Sequence, residues 1–78
     1  MPSVLRMGPF RFFFFAGDRD EPMHVHGERD KALAKYWLSP VRMHHSTGFS
    51  RAELAKVEAL VTERREELVE AWNDYFSD

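Results

Sequence analysis

The stretch Arg11-Phe12-Phe13-Phe14-Phe15-Ala16 holds four consecutive phenylalanines, and no other feature constrains the fold as much. Read as a strand over residues 10–16, it places Phe10, Phe12, Phe14 and Ala16 on one face, and Arg11, Phe13 and Phe15 on the other. A strand over 32–38 repeats the pattern. Ala34, Tyr36 and Leu38 share one side, and Leu33, Lys35 and Trp37 the other. An antiparallel sheet with one wet face alternates apolar with polar residues. This sheet carries large aromatics on both faces. The chain has only 78 residues, which allows one domain and a small core. It is too short for a doubly wound nucleotide-binding fold or an α/β barrel. With no cysteine it has neither a disulfide framework nor a thiolate metal site.

Further strands are predicted over 3–7 and 23–28, with a weaker one over 41–44. Gly8-Pro9 marks a hairpin turn, and residues 17–22 form a polar loop. The clearest element follows. Ser50-Arg51-Ala52-Glu53 has the spacing of a capping box, with Phe49 and Leu54 placed as a hydrophobic staple. Apolar residues then recur at Leu54, Val57, Leu60, Val61, Leu68, Ala71, Trp72 and Tyr75, one face of a helix. The expected fold is α+β. A small, mainly antiparallel sheet of three to five strands (residues 1–48) is packed by one long C-terminal helix (residues 49–78) within a single domain.

That helix would run about 39 Å at ~1.5 Å per residue, whereas a seven-residue strand spans only about 23 Å. Its last turns carry Trp72, Tyr75 and Phe76, and one helix covers only one sheet face. Either the helix kinks and everything packs internally, or another protein surface covers the excess. The second alternative is the expectation adopted, because monomers rarely leave large apolar patches in water. Phe13, Phe15, Trp37, Trp72, Tyr75 and Phe76 are then the expected partner interface, in a homodimer or against a different protein.

No apolar run approaches the roughly 18 residues of a membrane span, and the first residues lack the layout of a signal peptide. A cytoplasmic location without membrane contact is the expectation. Residues 1–50 hold seven Lys/Arg against five Asp/Glu, and residues 51–78 hold four against eight. The first part is too mildly basic for a typical nucleic-acid binder.

One local arrangement carries chemistry. In an extended segment, His24, His26 and Glu28 project from one face, and Met23 and Val25 from the core side. Three readings compete. The pair binds a divalent transition metal, with Glu28, Asp20 or His44 as third ligand. Alternatively, His24 and His26 act as acid and base, which neutral pH permits for imidazole. Cleavage of RNA by its own 2′-hydroxyl then needs little more than a cation for the phosphate, and Arg11 is the candidate among several. In the third reading the rings are structural and stack across strands on Phe13 or Tyr36. No cofactor is required by the second and third readings. His44-His45 lie next to each other, so a regular strand sends them to opposite faces.

Several segments come in a familiar order. They are Pro2-Ser3-Val4-Leu5-Arg6, Arg11-Phe12-Phe13-Phe14-Phe15, Pro22-Met23-His24-Val25-His26, Ala34-Lys35-Tyr36-Trp37-Leu38 and Glu70-Ala71-Trp72-Asn73-Asp74-Tyr75-Phe76. Together they resemble a bacterial family of unknown function numbered 4160, over nearly the whole chain. The family pattern has two prolines before the His-x-His, where this chain has Pro22 and Met23. Its loop typically holds an acidic residue and often a His, and this chain has Asp18 and Asp20 there and no His. The resemblance implies a short bacterial protein encoded beside another small domain, in the manner of toxin–antitoxin pairs or defence cargo. The expected function is therefore one component of such a two-protein module, acting on RNA as a His-dependent ribonuclease through His24, His26 and Arg11. The alternatives are a non-catalytic antitoxin or adaptor, and a small metal-binding protein using His24, His26 and Glu28.

Overall fold

The computed structural model describes residues 3–77, so Met1, Pro2 and Asp78, at the ends of the two expected regions, lie outside it. Five antiparallel strands form one sheet in chain order: β1 (Ser3–Met7), β2 (Phe10–Phe13), β3 (His24–Arg29), β4 (Ala32–Leu38) and β5 (Val41–Thr47). Each pairs with the next, as short polar turns between apolar segments dictate. Gly8 takes a positive φ of 57° in the β1–β2 turn, a conformation that glycine adopts without steric cost. A one-turn 3-10 segment, Ala16–Asp20, joins β2 to β3. Two helices follow, α1 (Arg51–Glu63) and α2 (Arg65–Phe76). The α+β expectation holds.

The single long helix is corrected to two. It breaks at Arg64 (φ −104°, ψ 18°), although residues 50–78 contain no glycine or proline. A straight helix over the same residues would run about 39 Å, longer than the molecule's greatest extent of 37 Å. The break lets each arm follow the twisted sheet. Val57 and Val61 are buried from α1, and Leu68 and Trp72 from α2. The Arg65 guanidinium donates to the Leu38 carbonyl at 2.5 Å, fastening the start of α2 to the end of β4. At the other end of α1 the expected capping box is present. Ser50 Oγ accepts from the Glu53 N–H at 3.1 Å, and the Glu53 carboxylate accepts from the Ser50 N–H at 3.2 Å.

The helix-facing side of the sheet is dry. Phe10, Phe12, Val25, Ala34, Tyr36 and Leu38 pack there with Val57, Val61 and Leu68. The Tyr36 hydroxyl donates to the Leu54 carbonyl at 3.1 Å, which satisfies its one polar atom. Phe14 leaves the ladder, because β2 ends at Phe13 and not at residue 16. Its ring turns in against Trp72, Tyr75 and Phe76 at 5.3, 5.9 and 6.0 Å.

Much of the aromatic surplus is absorbed by this bend. Phe13 and Trp72, expected at a partner interface, are buried by their own chain. Trp37 and Phe76 are half-buried. Of the six residues assigned to that interface, only Phe15 (38% exposed) and Tyr75 (39%) lie open to solvent. Among the described residues, no helix is long and apolar enough to cross a membrane.

Candidate metal centre

The second face of the sheet is covered by a different device. After Phe13 the chain turns through residues 16–20 and lays Asp18 over β3. Asp18 builds this turn itself. Its N–H donates to the Phe15 carbonyl at 3.0 Å, and its Oδ2 accepts from the Phe15 N–H at 2.8 Å. Such local side-chain bonds are why aspartate favours turns. The carboxylate is thereby carried inward, and Asp18 is only 7% exposed.

Beneath it stand His24 and His26, two residues apart on β3 and therefore on one face. Their rings lie 5.1 Å apart at 88°. His24 Nε2 is 3.1 Å from Asp18 Oδ1, and His26 Nε2 is 3.0 Å from Asp18 Oδ2. One ligand atom from each of the three residues lies within 4.8 Å of the other two. Aromatic rings wall the cluster. Phe13, the register partner of His26, stacks on its ring at 5.5 Å, and Phe15 meets it edge-on at 4.6 Å. Trp37 and Trp72 lie 5.5 and 5.1 Å from His24.

The hydrogen-bond accounting at His24 is informative. Its Nδ1 lies 2.8 Å from the Pro22 carbonyl. A carbonyl only accepts, so Nδ1 carries the proton. The opposite nitrogen, Nε2, faces an Asp18 carboxylate oxygen at 3.1 Å. The ring is fully buried, and Nε2 has no hydrogen-bond partner among the described residues. Although the Asp18 contact is short, it lacks hydrogen-bond geometry. Burial pushes the Asp18 carboxyl up, but the Phe15 N–H and the two imidazoles outweigh this and leave it below its ordinary value. The carboxyl is therefore ionised at neutral pH and has no proton to share. Burial depresses the basicity of His26, against the pull of Asp18. Its ring is thus held neutral, as a metal ligand must be.

The other candidate ligands, Glu28, Asp20 and His44, lie outside this cluster. Glu28 accepts from the Arg11 guanidinium at 2.6 Å, and Arg11 lies 4.5 Å over the Phe13 ring. Both share the face of the histidines, yet neither joins the cluster. Asp20 ends the 3-10 turn and is exposed. The register of β4 and β5 shifts between Lys35 and Tyr36, which leaves His44 extra on β5. His44 packs 4.9 Å from Trp37, and His45 stands opposite Lys35. Asp18 is the residue that sequence reasoning passed over. It stood there only beside Asp20 as an acid of the loop, and no fixed spacing ties a turn residue to a strand.

No curated protein and no solved structure matches the chain. A sequence model does match, that of a domain of unknown function designated DUF4160, over residues 10–73. That span holds the four phenylalanines, Asp18, both histidines and most of α2, and the chain belongs to the DUF4160 family.

Proposed function

We propose that this protein binds one divalent transition-metal ion of the zinc class through Asp18, His24 and His26, and that its activity resides at that ion. The observation that carries the reading is the buried His24 Nε2, without a hydrogen-bond partner among the described residues and 3.1 Å from an ionised carboxylate oxygen. A proton on Nε2 or a metal ion satisfies such a pair, and the convergence of a third ligand atom, from His26, on the same point favours the metal. One ligand atom from each residue lies within 4.8 Å of the other two, a spread that a single ion with bonds near 2.0–2.1 Å closes with little movement. The donor set, two imidazoles and a carboxylate, suits zinc, iron, nickel or copper.

The surrounding residues do what outer partners of a metal site do. The Pro22 carbonyl fixes the tautomer of His24. The Phe15 N–H orients the Asp18 carboxylate. Phe13 and Trp37 keep the rings from rotating and exclude water from their flanks. Three protein ligands leave one coordination position for water, whose pKa an ion of this class lowers to about 7.

Titration calorimetry of chelator-treated protein with zinc should give one ion per chain. Cobalt(II) should give the visible bands of a four-coordinate site. His24→Gln with His26→Gln should abolish both. Absence of binding in the wild type, or binding that survives the double change, defeats the reading.

A second reading retains the two imidazoles as acid and base of an RNA-cleaving component in a toxin–antitoxin-like pair. It is favoured by the close approach of the rings and by the slight exposure left to His26 (8%). Growth arrest on expression, relieved by the same double change and indifferent to chelation of the purified enzyme, would select it over the metal.

A further inference from the structure

A cavity of 450 Å³ opens at the end of the sheet, bounded by Pro22, Met23, Trp37, Ser39, Pro40 and Arg42. We infer that it is a binding site for a small aromatic acid, with the rings held by Trp37, Met23 and the two prolines and the carboxylate by Arg42. The volume falls within the roughly 300–1,000 Å³ of small-molecule sites, which are mostly apolar with a few placed polar groups.

The walls select for an aromatic body. Trp37 offers a π surface, Met23 a polarisable thioether, and Pro22 and Pro40 flat hydrocarbon edges. The polar groups select for negative charge. None of the six lining residues is acidic. Arg42 stands opposite Trp37 in the β4–β5 register, which puts both side chains on one face. It is exposed and has no ion-pair partner among the described residues. Lys35 Nζ lies 4.8 Å from the Trp37 ring and pairs with Glu21 at 2.5 Å. A cationic ligand would meet the Arg42 guanidinium, the one charged group among the six lining residues. An aromatic carboxylate meets a guanidinium fork that matches it in geometry. The site stands on its own residues and does not need a metal, although Pro22 and Trp37 are also neighbours of His24.

The experiment titrates the full chain with 2-naphthoate and with its neutral counterpart 2-naphthamide, with and without EDTA. Calorimetry gives affinity, and the two indole N–H resonances of Trp37 and Trp72 give location. Saturable one-to-one binding of naphthoate should move the Trp37 signal and leave Trp72 in place. Arg42→Gln should weaken naphthoate about ten-fold or more, and naphthamide hardly at all. Because Arg42 is exposed, an unchanged near-UV circular dichroism spectrum should verify that this variant is folded. Equal affinity for the two compounds overturns the proposal, as does naphthoate binding that ignores Arg42→Gln. Affinity that disappears in EDTA overturns it too, since the carboxylate would then be bound to the ion.

Discussion

β3 shows two kinds of burial within three residues. Val25 points into the helix side and meets only hydrocarbon and aromatic rings. His24 and His26 point the other way and are also buried, yet they meet each other and a carboxylate. One face is closed by two helices, the other by a single turn of chain around Asp18. A dry face needs only volume to be filled, and many side chains supply it. A polar face needs every donor and acceptor matched, and here His24 Nε2 has no hydrogen-bond partner among the described residues. The stability of the first should therefore be independent of metal, and that of the second tied to it.

The largest effect expected is on the dry face. Phe12→Ala removes a fully buried ring and should cost about 3–5 kcal/mol, comparable to the whole stability of a domain this small. Urea unfolding should show the same loss with and without metal. The second effect belongs to the polar face. Zinc at about 100 times its dissociation constant should stabilise the wild type by about 2.7 kcal/mol. In Asp18→Asn, that gap between apo and loaded midpoints should close. A gap that persists would show that the ion is held without Asp18. Third, Tyr36→Phe removes the hydroxyl bonded to the Leu54 carbonyl and should cost about 0.5–1.5 kcal/mol, again irrespective of metal.

The smallest effect is a pH dependence at the entry to α1. Its N-cap bonds from Ser50, with Arg29 beside it, hold the Glu53 carboxyl below its ordinary value of 4.5. A lowered carboxyl pKa stabilises the fold above the unfolded value, and the contribution is lost as pH falls through the folded one. Melting temperatures of wild type and Glu53→Gln should therefore differ at neutral pH and converge below about 4.5.

The strands and the start of α1 were legible because their signals are local. Alternation, turn residues and the Ser50–Glu53 spacing each lie within a few positions. The common face of His24 and His26 followed from the two-residue period alone. Asp18 did not, because it reaches the pair through a turn that it builds with Phe15. The break at Arg64 was equally hidden. It answers to the size of the sheet beneath it, and no residue there announces it. The partner expectation assumed a straight helix and a flat strand. The bend after Phe13 and the break at Arg64 let the chain bury Phe13, Phe14 and Trp72 by itself.

Gly27 follows the second histidine and belongs to the dry face. A Cβ placed there would come within 2.9 Å of the Phe12 ring and 3.6 Å of Val57. Any side chain would push the Phe12 ring back, while its Cβ would meet Val57 at an ordinary contact distance. The strand that presents the two imidazoles is thus pressed from behind by a phenylalanine that occupies the space of an absent side chain. Displacing that ring would tilt β3 and move His26 relative to Asp18. The recognisable unit is then four residues long, His24-Val25-His26-Gly27, with its last position defined by a volume and not by a functional group.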